Sequence, residues 1–99
     1  MSSIKENFTV SARLIGGDDA EAIVDLMREN NPALAIEDNG SYWSITADND
    51  DLIFEMDEIG EAMGHSYSVT KFLGILASYK GEIEVRDNAV AIKVFAPHQ

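Results

Sequence analysis

The sequence predicts a single α+β domain with a mostly antiparallel sheet and helices packed on it. Three observations carry that prediction. Apolar residues alternate at period two in some segments and recur at i, i+3, i+4 and i+7 in others, and glycine, proline or Asn-Gly breaks separate the segments. The predicted order is strand, helix, strand, strand, then a less regular strand, helix, helix, strand, strand.

The first strand runs from Phe8 to Ile15, with Phe8, Val10, Ala12 and Leu14 on one side and Thr9, Ser11 and Arg13 on the other. Gly16-Gly17 breaks it, and Asp18 or Asp19 is placed to cap a helix whose Ala20, Ile23, Val24 and Met27 form one face. Pro32 ends that helix by pushing Asn31 out of helical geometry. Leu34 to Asp38 alternates again and meets the Asn39-Gly40 turn, and Tyr42 to Ala47 completes a hairpin with Trp43, Ile45 and Ala47 on a shared face. After the polar break at Asp48 to Asp51, Leu52 to Met56 is a short strand, and Asp57 is placed to cap a short helix that ends at Gly64. Ser68 suits the N-cap of the next helix, with Val69, Phe72, Leu73 and Leu76 on its core-facing stripe and Gly81 just past its end. The last two strands are Glu82 to Arg86 and Ala89 to Phe95, joined by a turn at Asp87-Asn88.

The chain has 99 residues, enough for one core, and at this size a domain buries roughly 60–65% of the surface of its unfolded chain. Residues 1–6 are expected to be a flexible tail and residues 7–96 the single domain. No cysteine is present, which removes disulfides, thiolate zinc sites, cysteine-ligated clusters and thiol nucleophiles together. Nothing near Met1 resembles a signal peptide, and no window approaches the ~18 consecutive apolar residues of a membrane span, so a cytoplasmic protein is expected. Eighteen acidic against seven basic residues give a formal charge of −11, which disfavours nucleic acid and anionic membranes as partners. Solubility and electrostatic steering onto a basic protein surface explain that charge equally well.

Motifs of catalysis are missing. Gly16-Gly17-Asp18 begins like a cyclic-dinucleotide synthase signature, but Ala20 breaks it and the chain is far shorter than that domain. Asp48, Asn49, Asp50 and Asp51 suggest calcium, yet Leu52, Ile53 and Ile59 stand where an EF-hand loop needs an oxygen ligand, a glycine and a carboxylate. A solvated turn accounts for them. His65 and His98 lie far apart, outside any metal-ligand motif. Asp57, Glu61 and His65 form an acid–base cluster only if a helix carries them all, and Gly64 argues against that. No phosphate-binding glycine loop or nucleophile elbow occurs.

The stretch from Asn31 to Gly81 nevertheless carries a pattern. It contains Asn31-Pro32, Glu37-Asp38, Tyr42-Trp43, Ile45 with Ala47, Asp57-Glu58-Ile59 with Glu61 and Gly64, Val69, Phe72-Leu73, and Leu76-Ala77-Ser78 with Gly81. In this order and spacing it resembles the effector, or regulatory, proteins of soluble bacterial multicomponent monooxygenases. The resemblance implies a non-catalytic coupling subunit, free of metal and organic cofactor, that docks on a hydroxylase holding a carboxylate-bridged diiron site and tunes substrate access, oxygen activation, coupling and selectivity. Such an effector must bind one hydroxylase conformation more tightly than another. A shift from 1:99 to 99:1 takes about 5.5 kcal/mol of differential binding.

By position, the resemblance implies that Ile75, Ala77, Ser78, Tyr79 and Lys80, from the end of the third helix into the following strand, lie against the hydroxylase. Ala77-Ser78-Tyr79 looks more like the toluene monooxygenase branch, while Tyr42-Trp43 and Asp57-Glu58-Ile59 look more like the methane branch, so the hydrocarbon substrate is left open. Gly74 departs from helical preference, by roughly 1 kcal/mol relative to alanine, and either a partner helix or a cramped contact within the domain explains it. The competing function is a ferredoxin-like or ACT-like domain that senses a small molecule. A third class is an acid–base enzyme built on Asp57, Glu61 and His65.

Overall fold

The computed structural model describes residues 8–94. The expected tail at 1–6, the domain limits at 7 and 96, and His98 lie outside the described residues. Within them the chain folds as β1 (Thr9–Ile15), α1 (Asp18–Asn30), β2 (Ala35–Asp38), β3 (Tyr42–Asp48), β4 (Leu52–Glu55), α2 (Met56–Met63), α3 (Val69–Ile75), β5 (Leu76–Lys80), β6 (Glu82–Val85) and β7 (Ala89–Lys93). The α+β class and its antiparallel pairing are as expected. The strands form two sheets where one was expected, ordered β2-β3-β1-β5 and β4-β7-β6, with every pair antiparallel.

Periodicity explains the core directly. Val10, Ala12 and Leu14 of β1 are buried, as are Ala20, Ile23, Val24 and Met27 of α1, so α1 lies on the inner face of the four-stranded sheet. Leu52 and Phe54 of β4 join Val90 and Ile92 of β7, and Phe72 of α3 stacks on Phe54 with ring centroids 4.7 Å apart. No charged or polar side chain is buried in this core among the described residues.

The helix ends differ from expectation in two places. Gly17, with φ 148°, takes the N-cap of α1, and Glu55 takes that of α2; neither helix start has a side-chain cap. Asp18, Asp19 and Asp57 lie inside the first turns, where their charge favours the positive end of the helix dipole. Met56 begins α2 and does not extend β4. Gly64 ends α2 in the left-handed conformation as predicted, and the Ser68 hydroxyl accepts the Lys71 N–H at 3.2 Å.

The main correction lies in the third helix. It ends at Ile75, and Leu76 to Lys80 leave it as β5, an edge strand beside β1. Gly81 is therefore no helix cap. It is the crossing between the two sheets, with φ 131°.

Candidate functional site

Strand β5 gathers the residues singled out by position and divides them between two faces. Side chains of residues directly paired across an antiparallel ladder project to the same side. Tyr79 pairs with the buried Ala12, so it lies on the inner face, yet at the sheet edge it is 45% exposed. Ser78 pairs with Arg13 and Lys80 with Ser11, so both belong to the outer face. The ladder slips between Arg13 and Leu14, whose partners are Ser78 and Leu76, and Ala77 is the extra residue of this bulge. Ile75 is the last residue of α3 and is half-buried. Four consecutive residues, Ala77 to Lys80, are exposed, a pattern that belongs to a strand covered on neither face.

Two neighbours of this edge were not identified as site residues from sequence. Arg13 places its guanidinium over the Tyr42 ring, 5.2 Å from the centroid, between Ser44 and Ser78 in the ladder. Leu73, assigned to the core-facing stripe of the third helix, is 38% exposed beside Gly74. The two explanations of Gly74 now separate, because a Cβ built there meets nothing within 4 Å. No contact inside the domain requires this glycine. Gly74→Ala is accordingly expected to raise stability by about 0.5–1 kcal/mol through helix propensity, read as a higher thermal midpoint; a lower midpoint would contradict the open geometry.

The acid–base candidates do converge in space. Asp57, Glu61 and His65 line a shallow cleft of about 290 Å³ with Met56, Gly60, Ser66 and Tyr67. All three are exposed, and no hydrogen bond or ion pair joins them among the described residues. His65 uses Nδ1 on the carbonyl of Ser66 at 2.9 Å. A Cβ at Gly60 would approach the His65 carbonyl oxygen to 2.8 Å, so the glycine lets the chain after α2 fold back tightly on the helix. Packing explains this cluster.

Tyr67, at the base of the same turn, is 6% exposed, and its hydroxyl has no hydrogen-bond partner among the described residues. Burial first, and the negative charge of Asp19 second, push the phenol up to about 12. The Asp19 carboxylate is near enough to act on the hydroxyl electrostatically, although a properly directed bond is not formed. Because the folded pKa exceeds the ordinary value of 10, the native state holds this proton longer than the unfolded chain. The associated stability is complete below pH ~10 and is lost as pH rises through ~12. Tyr67→Phe is expected to flatten the fall in stability across that window, and an unchanged alkaline profile would overturn the assignment.

The acidic run Asp48 to Asp51 forms a structural turn. Asn49, at φ 56°, exchanges hydrogen bonds with Phe8 through its backbone and side chain, and Asp51 Oδ1 accepts the Val94 N–H at 2.7 Å. Among the described residues no three His, Asp or Glu side chains are grouped to hold a metal ion, and no helix is long and apolar enough to cross a membrane.

Comparison with known proteins places this geometry. The fold is similar to a chain in a structure of the phenol hydroxylase–regulatory protein complex, at 19% identity and a TM-score of 0.75, over 86% of this chain and 97% of that one. It is also similar to the soluble methane monooxygenase regulatory protein B, at 26% identity and a TM-score of 0.68, over 96% of this chain and 71% of that one. Comparison with curated protein sequences gives no significant match. The model of the MmoB/DmpM family matches residues 8–93, from the residue before β1 to the end of β7, and the chain belongs to that family.

Proposed function

We propose that this chain is a cofactor-free regulatory component of a cytoplasmic multicomponent monooxygenase, and that it docks on a diiron hydroxylase through the β5 edge and tunes its turnover, coupling and selectivity. The observation that carries this reading is membership of the MmoB/DmpM family across the whole described domain. Two of its structural relatives support it, one in a phenol hydroxylase–regulatory protein complex and the other the soluble methane monooxygenase regulatory protein B. The exposed run Ala77 to Lys80 supports the choice of surface, since its side chains are not spent on the core. The protein acts by favouring one hydroxylase conformation, so its effect is a coupling free energy and not a chemical step.

Reconstitution tests the proposal. Omitting the chain from a mixture of hydroxylase, reductase and any ferredoxin is expected to lower turnover about tenfold, within the ~5- to 150-fold range of typical coupling free energies, and to waste reductant. Ser78→Glu or Tyr79→Asp is expected to reduce activation while leaving thermal unfolding nearly unchanged. Unaltered turnover, coupling and product ratio without the chain would refute the function. Full activation by both variants would refute the site alone.

A further inference from the structure

The chain is strongly acidic, but its charge is segregated. Glu21, Asp25 and Glu29 of α1 and Asp57, Glu58 and Glu61 of α2 are exposed on the helical side of the domain. The opposite side is the outer face of the four-stranded sheet, where none of the outward-facing residues of the paired strands is buried. Arg13 and Lys80 lie together there, on adjacent strands and diagonal to one another, about 7–8 Å apart at the backbone. The hydroxyls of Ser11, Ser44 and Ser78 fill the ladder positions around them.

Local partners hold most other cations in the described residues. Arg28 pairs with Asp25 at 3.6 Å, and Glu84 takes both Arg86 at 3.0 Å and Lys93 at 3.2 Å. Among the described residues Arg13 and Lys80 have no carboxylate within ion-pair distance; Lys71, on α3 and not in the sheet, shares this property. Carboxylates on the same face belong to its far half. Glu37 of β2 is two strands from Arg13, about 10 Å, and Asp48 lies at the end of β3 beside Thr9. Arg13 is also steadied by Tyr42, which lowers the entropy lost when it binds.

We infer that the outer face of β1 and β5 is the part of the docking surface that receives an acidic surface of the hydroxylase, its carboxylates seated on Arg13 and Lys80. Charge complementarity selects this occupant: a basic partner would be drawn to the helical side and would leave β5 facing away. On a chain of net charge −11 an acidic partner is repelled most by α1 and α2 and meets uncompensated cations on the β1 and β5 part of the sheet, which orients the encounter so that β5 faces it. The inference rests on the docking reading for the identity of the partner.

The test is binding of the hydroxylase to the full chain. The double variant Arg13→Glu, Lys80→Glu is expected to raise Kd by about tenfold or more at low salt. The wild type should weaken between ~50 and ~300 mM NaCl, and the double variant should lose that dependence. Glu29→Gln with Glu58→Gln, on the helical side, should not weaken binding. Equal affinity of wild type and the Arg13/Lys80 variant would overturn the inference while leaving the docking reading intact. Should the wild type bind no hydroxylase, the docking reading fails, and amide NMR with a short peptide of alternating Glu and Thr decides the surface. Shifts at Ser11, Arg13, Ser78 and Lys80 support an acid-binding face, and shifts elsewhere or none overturn it.

Discussion

Phe72→Ala is expected to cost about 3–5 kcal/mol, a large share of the ~5–15 kcal/mol that a domain of this size has in reserve. Phe72 is the only fully buried residue of α3, with Val69 and Ile75 packed half-buried against the core beside it, so it is the main anchor of the seven-residue helix. Its ring lies at 35° to Phe54, and such aromatic pairs add about 0.5–1.5 kcal/mol beyond the area they bury. Removing the ring therefore opens a cavity against β4 and also releases α3, and with it the chain that enters β5. Urea unfolding should show a large drop in midpoint, and amide exchange should rise most in residues 69–80. Leu73→Ala, at the exposed neighbour, should change the midpoint little. A cost below about 1 kcal/mol for the Phe72 variant would mean that α3 is held by something other than this stack.

Local rules made most of the fold legible. β1, α1 and the β2–β3 hairpin bury one face each, so their period-two and 3.6-residue patterns identify both the element and its inner side. Strand β5 gave no such signal because it is an uncovered edge: Ala77 to Lys80 are all exposed, and a strand bare on both faces has no reason to alternate. Val69, Phe72 and Leu76 also extend the helical spacing through this region, and Gly81 mimics a helix stop. The true break comes at Ile75, where pairing with β1 outweighs continued helix.

The proposed docking surface was only half legible, for a related reason. Position within the family pattern picked out Ser78, Tyr79 and Lys80, but the face each one serves depends on its partner in β1, more than sixty positions away in sequence. Arg13 in isolation is merely the polar side of a strand. Only the register that sets it beside Ser78 and near Lys80 turns it into part of a charged surface. In the same way, Asp57, Glu61 and His65 do share a cleft, yet their exposure gives the grouping no catalytic character.

Gly81→Ala is expected to be nearly as costly as loss of the Phe72 ring, for the opposite reason: it adds an atom where none fits. At φ 131° the backbone is in a region that residues with a side chain rarely adopt, a strain of about 1–3 kcal/mol. The new Cβ would also stand 2.9 Å from the Lys93 carbonyl oxygen, 2.9 Å from Ile92 Cγ2 and 3.0 Å from Val10 Cγ1. Overpacking of this kind adds roughly 1–3 kcal/mol, and Lys93 presents backbone that does not swing aside. A combined loss of about 2–6 kcal/mol should lower the thermal midpoint by about 4–8 °C for each kcal/mol. Gly74→Ala, one strand earlier, should move the midpoint upward, so the pair separates a glycine required by the fold from one that it does not need. The position of Gly81 adds a functional consequence. It joins β5 to β6 while touching β1 and β7, so any shift that accommodates a methyl there displaces the end of β5 at Lys80. If β5 is the docking strand proposed above, residual folded Gly81→Ala protein should activate the hydroxylase less well than its folded fraction predicts, and activation in strict proportion to that fraction would show that the proposed docking strand tolerates displacement at its end.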